Sequence, residues 1–288
     1  MLPGLLKCRL MEESTDYALM RLGDTAEFKG PCFSNFNFIT TSNPMNMNHI
    51  LCKRFENYDK SLEFREIFFD ALGDGIFNAA ADSWKGQRKI LMALMHSSKF
   101  VRRAVKNISQ KLDQSLIPLL EHFSKVDAEF DLQDVFQRFT YDNTCTLVFG
   151  VDPNSLSIDF PHVASKEAFT EAEEVLLYRH MVPMSLWKLQ KWLRIGEEKK
   201  MIKAIETVDD FVYKCISSKR ERLKNKSQAD DKKDEEFDLS TALMDDKEDE
   251  GGAVIGKSDK FLRDVVISVL GAGKDTNGLK VKVKKRAA

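Results

Sequence analysis

Trp84 and Arg88 are residues whose types and spacing suggest a defined chemistry. A separation of four positions places both side chains on one face of a helix. An indole N–H and a guanidinium on the same face can both donate hydrogen bonds to a carboxylate. The alternative is an exposed stack of Arg88 on Trp84 that binds no ligand.

A second pattern of this kind is the run from Gly271 to Thr276, which follows a strongly apolar helical segment. Gly inside a helix costs about 1 kcal/mol relative to Ala. The pair Gly271 and Gly273 therefore indicates that a flat group approaches this face of the helix closely. The alternative is an ordinary Gly-rich helix C terminus.

Other catalytic motifs are missing from the sequence or lack the context that they need. Residues 251–258 match the spacing of a phosphate-binding loop, G-x-x-x-x-G-K-[ST]. We reject a nucleotide site, because an acidic run precedes Gly251 where a buried strand is required, and about thirty residues after Ser258 cannot complete a parallel sheet. The five Cys residues form no C-x-x-C pair and no G-x-S-x-G elbow occurs, so we assign neither a metal ligand nor a hydrolase nucleophile.

The composition limits the possible functions further. The chain has 288 residues, with 44 Lys and Arg against 45 Asp and Glu, and this balance argues against a nucleic acid partner. With 43% hydrophobic residues and 20 Phe, it can bury a large core. Its widely spaced Cys residues fit a reducing compartment. No window reaches the roughly 18 to 20 apolar residues that span a bilayer, so we expect a protein that is soluble or lies on a membrane surface.

The hydrophobic pattern predicts a mainly α-helical fold with a small N-terminal β element. Phe36, Phe38 and Thr40 alternate with polar residues, which is typical of a strand. Farther along the chain, apolar residues recur with the helical period. The predicted amphipathic helices run from Val101 to Phe123 with a kink at Pro118, from Val135 to an end at Gly150, from Met201 to Ile216, and from an N-cap at Ser258 to Leu270.

Three segments have an unusual composition. Residues 230–252 are strongly acidic, which predicts a solvated linker between helices. Residues 277–288 are basic and break the preceding helical pattern. Residues 181–194 combine two Trp with other apolar and several basic residues. This last pattern predicts either a helix at a membrane surface or one that covers the protein's own core, and the sequence leaves both open.

Several segments carry a resemblance to a known family: residues 30–35, 73–78, 84–88, 131–143, 149–153, 178–180, 187–190 and 272–276. In this order they are similar to a cytochrome P450 monooxygenase. The similarity is to the plant branch that hydroxylates fatty acids and cuticular-wax alkanes, and above all to the midchain alkane hydroxylases. It implies that residues 1–276 form the N-terminal part of one helical domain, with the acidic linker inside it and 277–288 as an off-pattern tail.

The resemblance implies haem as the cofactor. In the family, the residues that match Trp84 and Arg88 hold a haem propionate. The helix that carries Ala272 and Gly273 would cross the distal face of the haem. Small residues there would leave room for dioxygen and substrate.

The resemblance also implies roles for residues near this face. Thr276 would hydrogen-bond the dioxygen, and Asp275 would help relay protons for O–O cleavage. Leu72, Ile76 and Phe77 would line an apolar substrate channel, although core packing explains these three equally well. The implied partners are a long-chain aliphatic substrate and a reductase that supplies electrons from NADPH.

The proximal half of the family's haem site has no match in the chain. Its Cys ligand lies in the pattern F-x-x-G-x-R-x-C-x-G. None of the five Cys has Gly two residues later, and no Glu is followed by Arg at the third position, as the family's E-x-x-R helix requires. We therefore expect the N-terminal part, a little over half, of such an enzyme, and we expect this chain to be inactive as it stands.

Three further expectations follow from the resemblance. Family members lie at the endoplasmic reticulum membrane, and without their anchor we expect this chain to be cytosolic, or peripheral through residues 181–194. We hypothesise that residues 277–288 come from a shifted reading frame or a retained intron. The alternative function is a non-enzymatic module that binds an apolar ligand or a partner.

Overall fold

The computed structural model describes residues 19, 23–30, 37–226, 238–244 and 258–274, and they form mainly helices. This confirms the predicted fold class. The strands are β1 (Thr25–Phe28) and β2 (Phe38–Thr41). The helices are α1 (Pro44–Asn48), α2 (Leu62–Leu72), α3 (Ala81–Met95), α4 (Ser98–Lys111), α5 (Ile117–Val126), α6 (Leu132–Phe149), α7 (Ala164–Met181), α8 (Met184–Leu193), α9 (Gly196–Lys226), α10 (Leu239–Met244) and α11 (Asp259–Lys274), with π-helical turns at His49–Lys53 and Leu112–Leu116 and a 3-10 turn at Phe55–Asn57.

The two strands form an antiparallel sheet near the N terminus. Thr25 pairs with Thr41 and Phe28 with Phe38, and the two Phe rings stack with centroids 4.9 Å apart. The strand predicted around Phe38 is thus confirmed, while its start at Phe36 lies outside the described residues. The partner strand β1 was not predicted, although polar and apolar side chains alternate over its four residues, because so short a pattern is a weak signal.

The chain divides into two compact units. The sheet unit comprises Met1–Ile67 and Glu173–Met201, and the helical unit comprises Phe68–Ala172 and Ile202–Ala288. The expectation of a single domain over residues 1–276 stays a prediction. Every predicted cofactor residue that the structure describes lies in the helical unit.

The core of the helical unit lies where α11 packs against α6. Val135 and Cys145 of α6 and Leu262 and Val266 of α11 are fully buried. Burial of such a side chain stabilises the fold by about 1.5–3 kcal/mol. These residues were predicted from the helical period, except for Cys145, and they fix α11 firmly in the unit.

The helix ends predicted at Ser258 and Gly150 are confirmed, whereas the helix predicted from Met201 to Ile216 extends farther in both directions as α9. The Phe261 N–H donates to Ser258 Oγ at 3.1 Å, which satisfies one of the free N–H groups at the start of α11. Gly150 adopts a φ of +70° immediately after α6, a conformation that Gly adopts without steric cost. The hydrogen bond from Phe261 thus identifies Ser258 as a helix cap. Residues 251–257 of the rejected phosphate loop lie outside the described residues.

The helix predicted from Val101 to Phe123 is interrupted just before Pro118. The π-helical turn Leu112–Leu116 separates α4 from α5, and Pro118 lies in the first turn of α5. A Pro is tolerated there because its missing N–H has no partner in a first turn. The backbone stays helical through this turn, so the predicted kink at Pro118 corresponds to a change of helix type just before it.

The predicted apolar face is wrong over α4. Val101 is 48% exposed and Val105 60% exposed, whereas the polar side chain of Lys111 is buried. The cause is electrostatic, because the Lys111 ammonium lies 2.7 Å from Asp142 Oδ2 and 2.9 Å from Asp152 Oδ2. Two carboxylates compensate the burial of this charge and turn the polar face of α4 inward.

The predicted solvated linker of residues 230–252 is wrong in its middle. Helix α10 lies within it, and Leu239 and Ser240 are fully buried. Asp238 caps the helix, since its Oδ1 accepts a hydrogen bond from the Thr241 N–H at 2.8 Å, and its other oxygen forms an ion pair with Lys219. The short apolar stretch inside this acidic run can therefore form a helix, because Asp238 at its start pairs with the buried ammonium of Lys219. Residues 230–237 and 245–252 lie outside the described residues.

Candidate functional site

Helix α3 brings Trp84 and Arg88 together, as the sequence predicted. The Arg88 guanidinium carbon lies 5.4 Å from the centroid of the Trp84 ring. Trp84 is half-buried and Arg88 is exposed, and no acidic side chain among the described residues forms an ion pair with Arg88. This arrangement is the exposed stack that the sequence left open as the alternative. It leaves Arg88 without an ion-pair partner among the described residues, and the binding of an anionic group there stays a prediction.

The last turn of α11 has one closed and one open side. A Cβ atom added at Gly273 would lie 2.5 Å from Thr144 Oγ1 of α6, whereas one added at Gly271 would have no atom within 4 Å. Ala272 is exposed. The prediction that Gly273 leaves room for a ligand is wrong, since its missing side chain lets α11 approach α6 closely. The open side of this turn lies at Gly271 and Ala272.

The two remaining predicted catalytic residues, Asp275 and Thr276, lie outside the described residues. The described part of α11 ends at Lys274, one residue before them. Their role in proton transfer stays a prediction.

Two of the predicted channel residues, Ile76 and Phe77, lie in the loop between α2 and α3, and Leu72 is the last residue of α2. Leu72 and Ile76 are half-buried, and Phe77 is 50% exposed. The loop is tied to α3, because Gln87 Nε2 donates to the Asp74 carbonyl oxygen at 2.7 Å. Gln87 lies on α3 between Trp84 and Arg88, so the predicted channel and the predicted anion site belong to one connected structure.

Sequence reasoning missed the residues of α11 that hold this loop. Asp264 Oδ2 accepts a hydrogen bond from the Asp74 N–H at 3.0 Å, and Arg263 Nη1 donates to Asp264 Oδ1 at 2.9 Å. Both side chains are buried. The signal was present in the sequence, since an Arg-Asp pair within an otherwise apolar helical run needs buried partners.

Two of the described cysteines, Cys145 and Cys215, are withdrawn from solvent. Cys145 is fully buried, and burial raises its pKa well above the usual range. Burial also raises the pKa of Cys215 to about 11. Burial thus keeps both thiols in the neutral form at pH 7 in the chain without a ligand. Cys52 is exposed, and Cys8 and Cys32 lie outside the described residues.

In the sheet unit, residues 184–193 of the segment 181–194 form α8, and its buried Trp187 fits the predicted helix that covers the protein's own core, while a membrane contact stays a prediction. Trp187 is buried, and the guanidinium carbon of Arg179 lies 4.5 Å from the centroid of the Trp187 ring. Arg179 is itself buried in a two-point ion pair with Glu198, with distances of 2.8 and 2.7 Å. The opposite side of the segment is apolar and exposed at Leu186, Leu189, Trp192, Leu193 and Ile195.

None of the helices among the described residues is long and apolar enough to cross a bilayer. Within the same ranges, no three His, Cys, Asp or Glu side chains are grouped so that they could hold a metal ion.

Comparison with known proteins gives consistent matches over nearly the whole chain. The Cytochrome P450 family model matches residues 32–279. The chain is 36% identical to Cytochrome P450 86B1 of Arabidopsis thaliana, covering 97% of this chain and 49% of that protein. It is 38% identical to Alkane hydroxylase MAH1 of Arabidopsis thaliana, covering 96% and 55% respectively. Noroxomaritidine synthase 1 of Narcissus pseudonarcissus is 32% identical, with 97% and 52% covered.

A solved structure shares the fold. The crystal structure of the cytochrome P450DA heme domain matches with a TM-score of 0.65 and 16% sequence identity, over 93% of this chain and 53% of that one. The chain thus spans about half the length of the curated relatives it matches. The resemblance to plant alkane hydroxylases that the sequence motifs predicted is confirmed.

Proposed function

The chain belongs to the cytochrome P450 family, and on this premise we propose that it supplies the distal side of the haem pocket of a monooxygenase. The reaction proposed is the hydroxylation of a long-chain alkane or fatty acid. The observation that carries the proposal is the pair Trp84 and Arg88, one helical turn apart, with a guanidinium that has no ion-pair partner among the described residues. A haem propionate is the anion that this family would place there.

The described residues fit the distal side of a haem. Trp84 and Arg88 would hold a propionate through N–H donors, and the open face at Gly271 and Ala272 would admit the flat porphyrin. Bound haem supplies the activation of dioxygen and the transfer of one oxygen atom. Asp275 and Thr276 would relay protons to this site, an acid and an alcohol suited to that task.

The proposed substrate is a long aliphatic chain. Ile76 and Phe77 present apolar surface from a loop that is linked to α3. One of the relatives is named an alkane hydroxylase, which supports this substrate class. Electrons would come from NADPH through a reductase, the usual partner of the family.

We propose that the 288-residue chain by itself does not hydroxylate. The reason is the sequence, because no Cys of the chain occupies the family's haem-ligand motif. A haem held only by distal contacts lacks the thiolate that favours O–O cleavage.

A peripheral membrane contact through α8 is part of the proposal. Trp192 is 78% exposed beside Leu189 and Leu193, and Lys188, Lys191 and Arg194 flank them. Exposed indole and apolar groups with nearby cations favour the boundary of an anionic bilayer. This would bring the chain to the endoplasmic reticulum surface, where the family acts.

The test is the carbon monoxide spectrum of the purified chain after reconstitution with haem and reduction. We expect haem to bind and its Soret band to lack the position typical of thiolate ligation. A thiolate-type band would contradict the proposed inactivity. Failure to bind any haem would contradict the distal-pocket proposal itself.

A second candidate function is a non-enzymatic module that binds an apolar ligand. The exposed Phe77, at 50% exposure, favours it because such a ring can contact a ligand without any cofactor. Two results together would favour this function over the enzyme. The chain would fail to bind haem on reconstitution, and it would bind a fluorescent fatty acid saturably without haem.

A further inference from the structure

The loop of residues 73–78 is fixed by a helix that lies far away in the sequence. The Asp74 N–H donates to Asp264 Oδ2, although the two residues are 190 positions apart. On the other side of the loop, Asn78 Nδ2 donates to the Gly73 carbonyl oxygen at 2.8 Å. The Asp264 side chain is buried, at 4% exposure, so water competes little for these bonds.

The loop backbone also touches α11 directly, which only glycine allows. A Cβ at Gly73 would lie 2.3 Å from the carboxylate of Asp264, and Gly73 adopts a φ of +52°. A Cβ at Gly75 would lie 2.2 Å from Ser268 Oγ and 2.3 Å from the Asp264 carbonyl oxygen. These distances are far below van der Waals contact, so the two glycines fit the loop to the surface of α11.

Asp264 is in turn held by its neighbour. Arg263 Nη1 donates to Asp264 Oδ1 at 2.9 Å, and Arg263 Nε donates to Asp209 Oδ1 of α9 at 2.7 Å. Burial favours the neutral form of Arg263, but hydrogen bonds to Asp209 and Asp264 outweigh it and raise its pKa. The two oxygens of Asp264 therefore have separate tasks, since one binds a permanent cation and the other binds the loop.

From these contacts we propose that Asp264 is a positioning residue for substrate selection. It fixes the loop so that Ile76 and Phe77, between the anchored residues Asp74 and Asn78, present one constant apolar surface to the aliphatic chain. This proposal rests on the proposed function for its substrate class, while the loop contacts do not depend on it. If the loop were free to move, Ile76 and Phe77 would present no fixed surface. The site would then bind aliphatic chains of different length about equally.

That residue 264 is a buried carboxylate supports a role in positioning the loop rather than a role in stability alone. Replacing buried charged groups by apolar groups of similar volume often leaves a protein equally stable. An apolar side chain at position 264 would fill the space but would remove the carboxylate that accepts the hydrogen bond from the Asp74 N–H. The carboxylate is thus needed for the conformation of the loop.

The first measurement is hydrogen–deuterium exchange on the 288-residue chain and two variants, D264A and D264N. We expect the amides of residues 73–79 to exchange about tenfold or more faster in D264A, because the lost bond was to a charged acceptor. D264N keeps one carbonyl acceptor and should fall between the wild type and D264A. The matched control is D238N, which weakens another buried ion pair of the helical unit and should leave the loop amides unchanged.

The second measurement is chain-length selectivity in the same proteins. The fluorescent fatty acid cis-parinaric acid is bound and then displaced by lauric or stearic acid. We expect the ratio of the two displacement constants to approach one in D264A, to change less in D264N, and to keep the wild-type value in D238N. A general loss of stability would weaken both acids alike and leave the ratio unchanged.

The outcomes separate this proposal from the proposed function. Equal loop exchange in the wild type and D264A would overturn the positioning role. Faster exchange with an unchanged selectivity ratio would overturn the link to substrate selection. If the wild type binds no fatty acid, the proposed substrate class is wrong and the selectivity role fails with it, while the exchange data still decide whether Asp264 fixes the loop.

Discussion

Buried charges and exposed charges have opposite uses in the helical unit. Lys111 and Arg263 are buried and each contacts two carboxylates. Arg88, by contrast, is exposed on α3 and has no ion-pair partner among the described residues, and Ala272 is exposed at the end of α11. The buried charges hold backbone segments in place, whereas we propose that the exposed residues provide donors and space for a ligand. Stability and ligand binding should therefore respond to different substitutions.

The largest expected effect is on stability, in K111A. This variant leaves Asp142 fully buried without its cation, and loss of one partner of a buried pair costs about 3–5 kcal/mol. Urea unfolding followed by far-UV circular dichroism measures the change. The matched control K106A removes an exposed lysine of the same helix and should change the free energy of unfolding by less than about 0.5 kcal/mol. Similar changes in the free energy of unfolding for K111A and K106A would contradict the structural role assigned to the buried charge.

A smaller effect is expected from a methyl group added at two glycines. G75A places a Cβ against the backbone oxygen of Asp264 and should destabilise the chain by about 1–3 kcal/mol. G271A meets no atom within 4 Å and replaces Gly inside a helix, so it should be neutral or stabilise by up to about 1 kcal/mol.

The same unfolding assay compares these two variants directly. If G271A proved as damaging as G75A, the last turn of α11 would be closed, and the proposed approach of a flat ligand there would be wrong. If G75A proved harmless, the close contact between the loop and α11 would not exist in solution.

Local signals in the sequence were sufficient for the helix ends and for the first site residues. Ser258 was predicted as an N-cap from one hydroxyl before an apolar run, and Gly150 as a helix end from its place after one. Trp84 and Arg88 were predicted as neighbours because helical spacing alone determines their proximity. In each case the determining interaction spans four residues or fewer.

Long-range interactions account for the errors. The inward polar face of α4 depends on Asp142 and Asp152, which follow Lys111 in the sequence by more than thirty positions. Gly273 was predicted to make room for a ligand, and its contact with Thr144 of α6 could not be read from its own helix. The Asp264 contact with the loop joins residues 190 positions apart. Periodicity and capping contain no information on such pairs.

The central claim is that Trp84 and Arg88 bind a porphyrin carboxylate, and a porphyrin titration of R88A tests it most directly. Protoporphyrin IX, which has free propionates and no iron, is compared with its dimethyl ester, whose propionates are blocked, by quenching of Trp fluorescence. The exposed neighbour variant K89A is the control. We predict that R88A weakens binding of protoporphyrin IX by about tenfold or more, since a charge-assisted bond is lost, and leaves the ester unaffected. Equal binding of protoporphyrin IX to the wild type and R88A would contradict the claim.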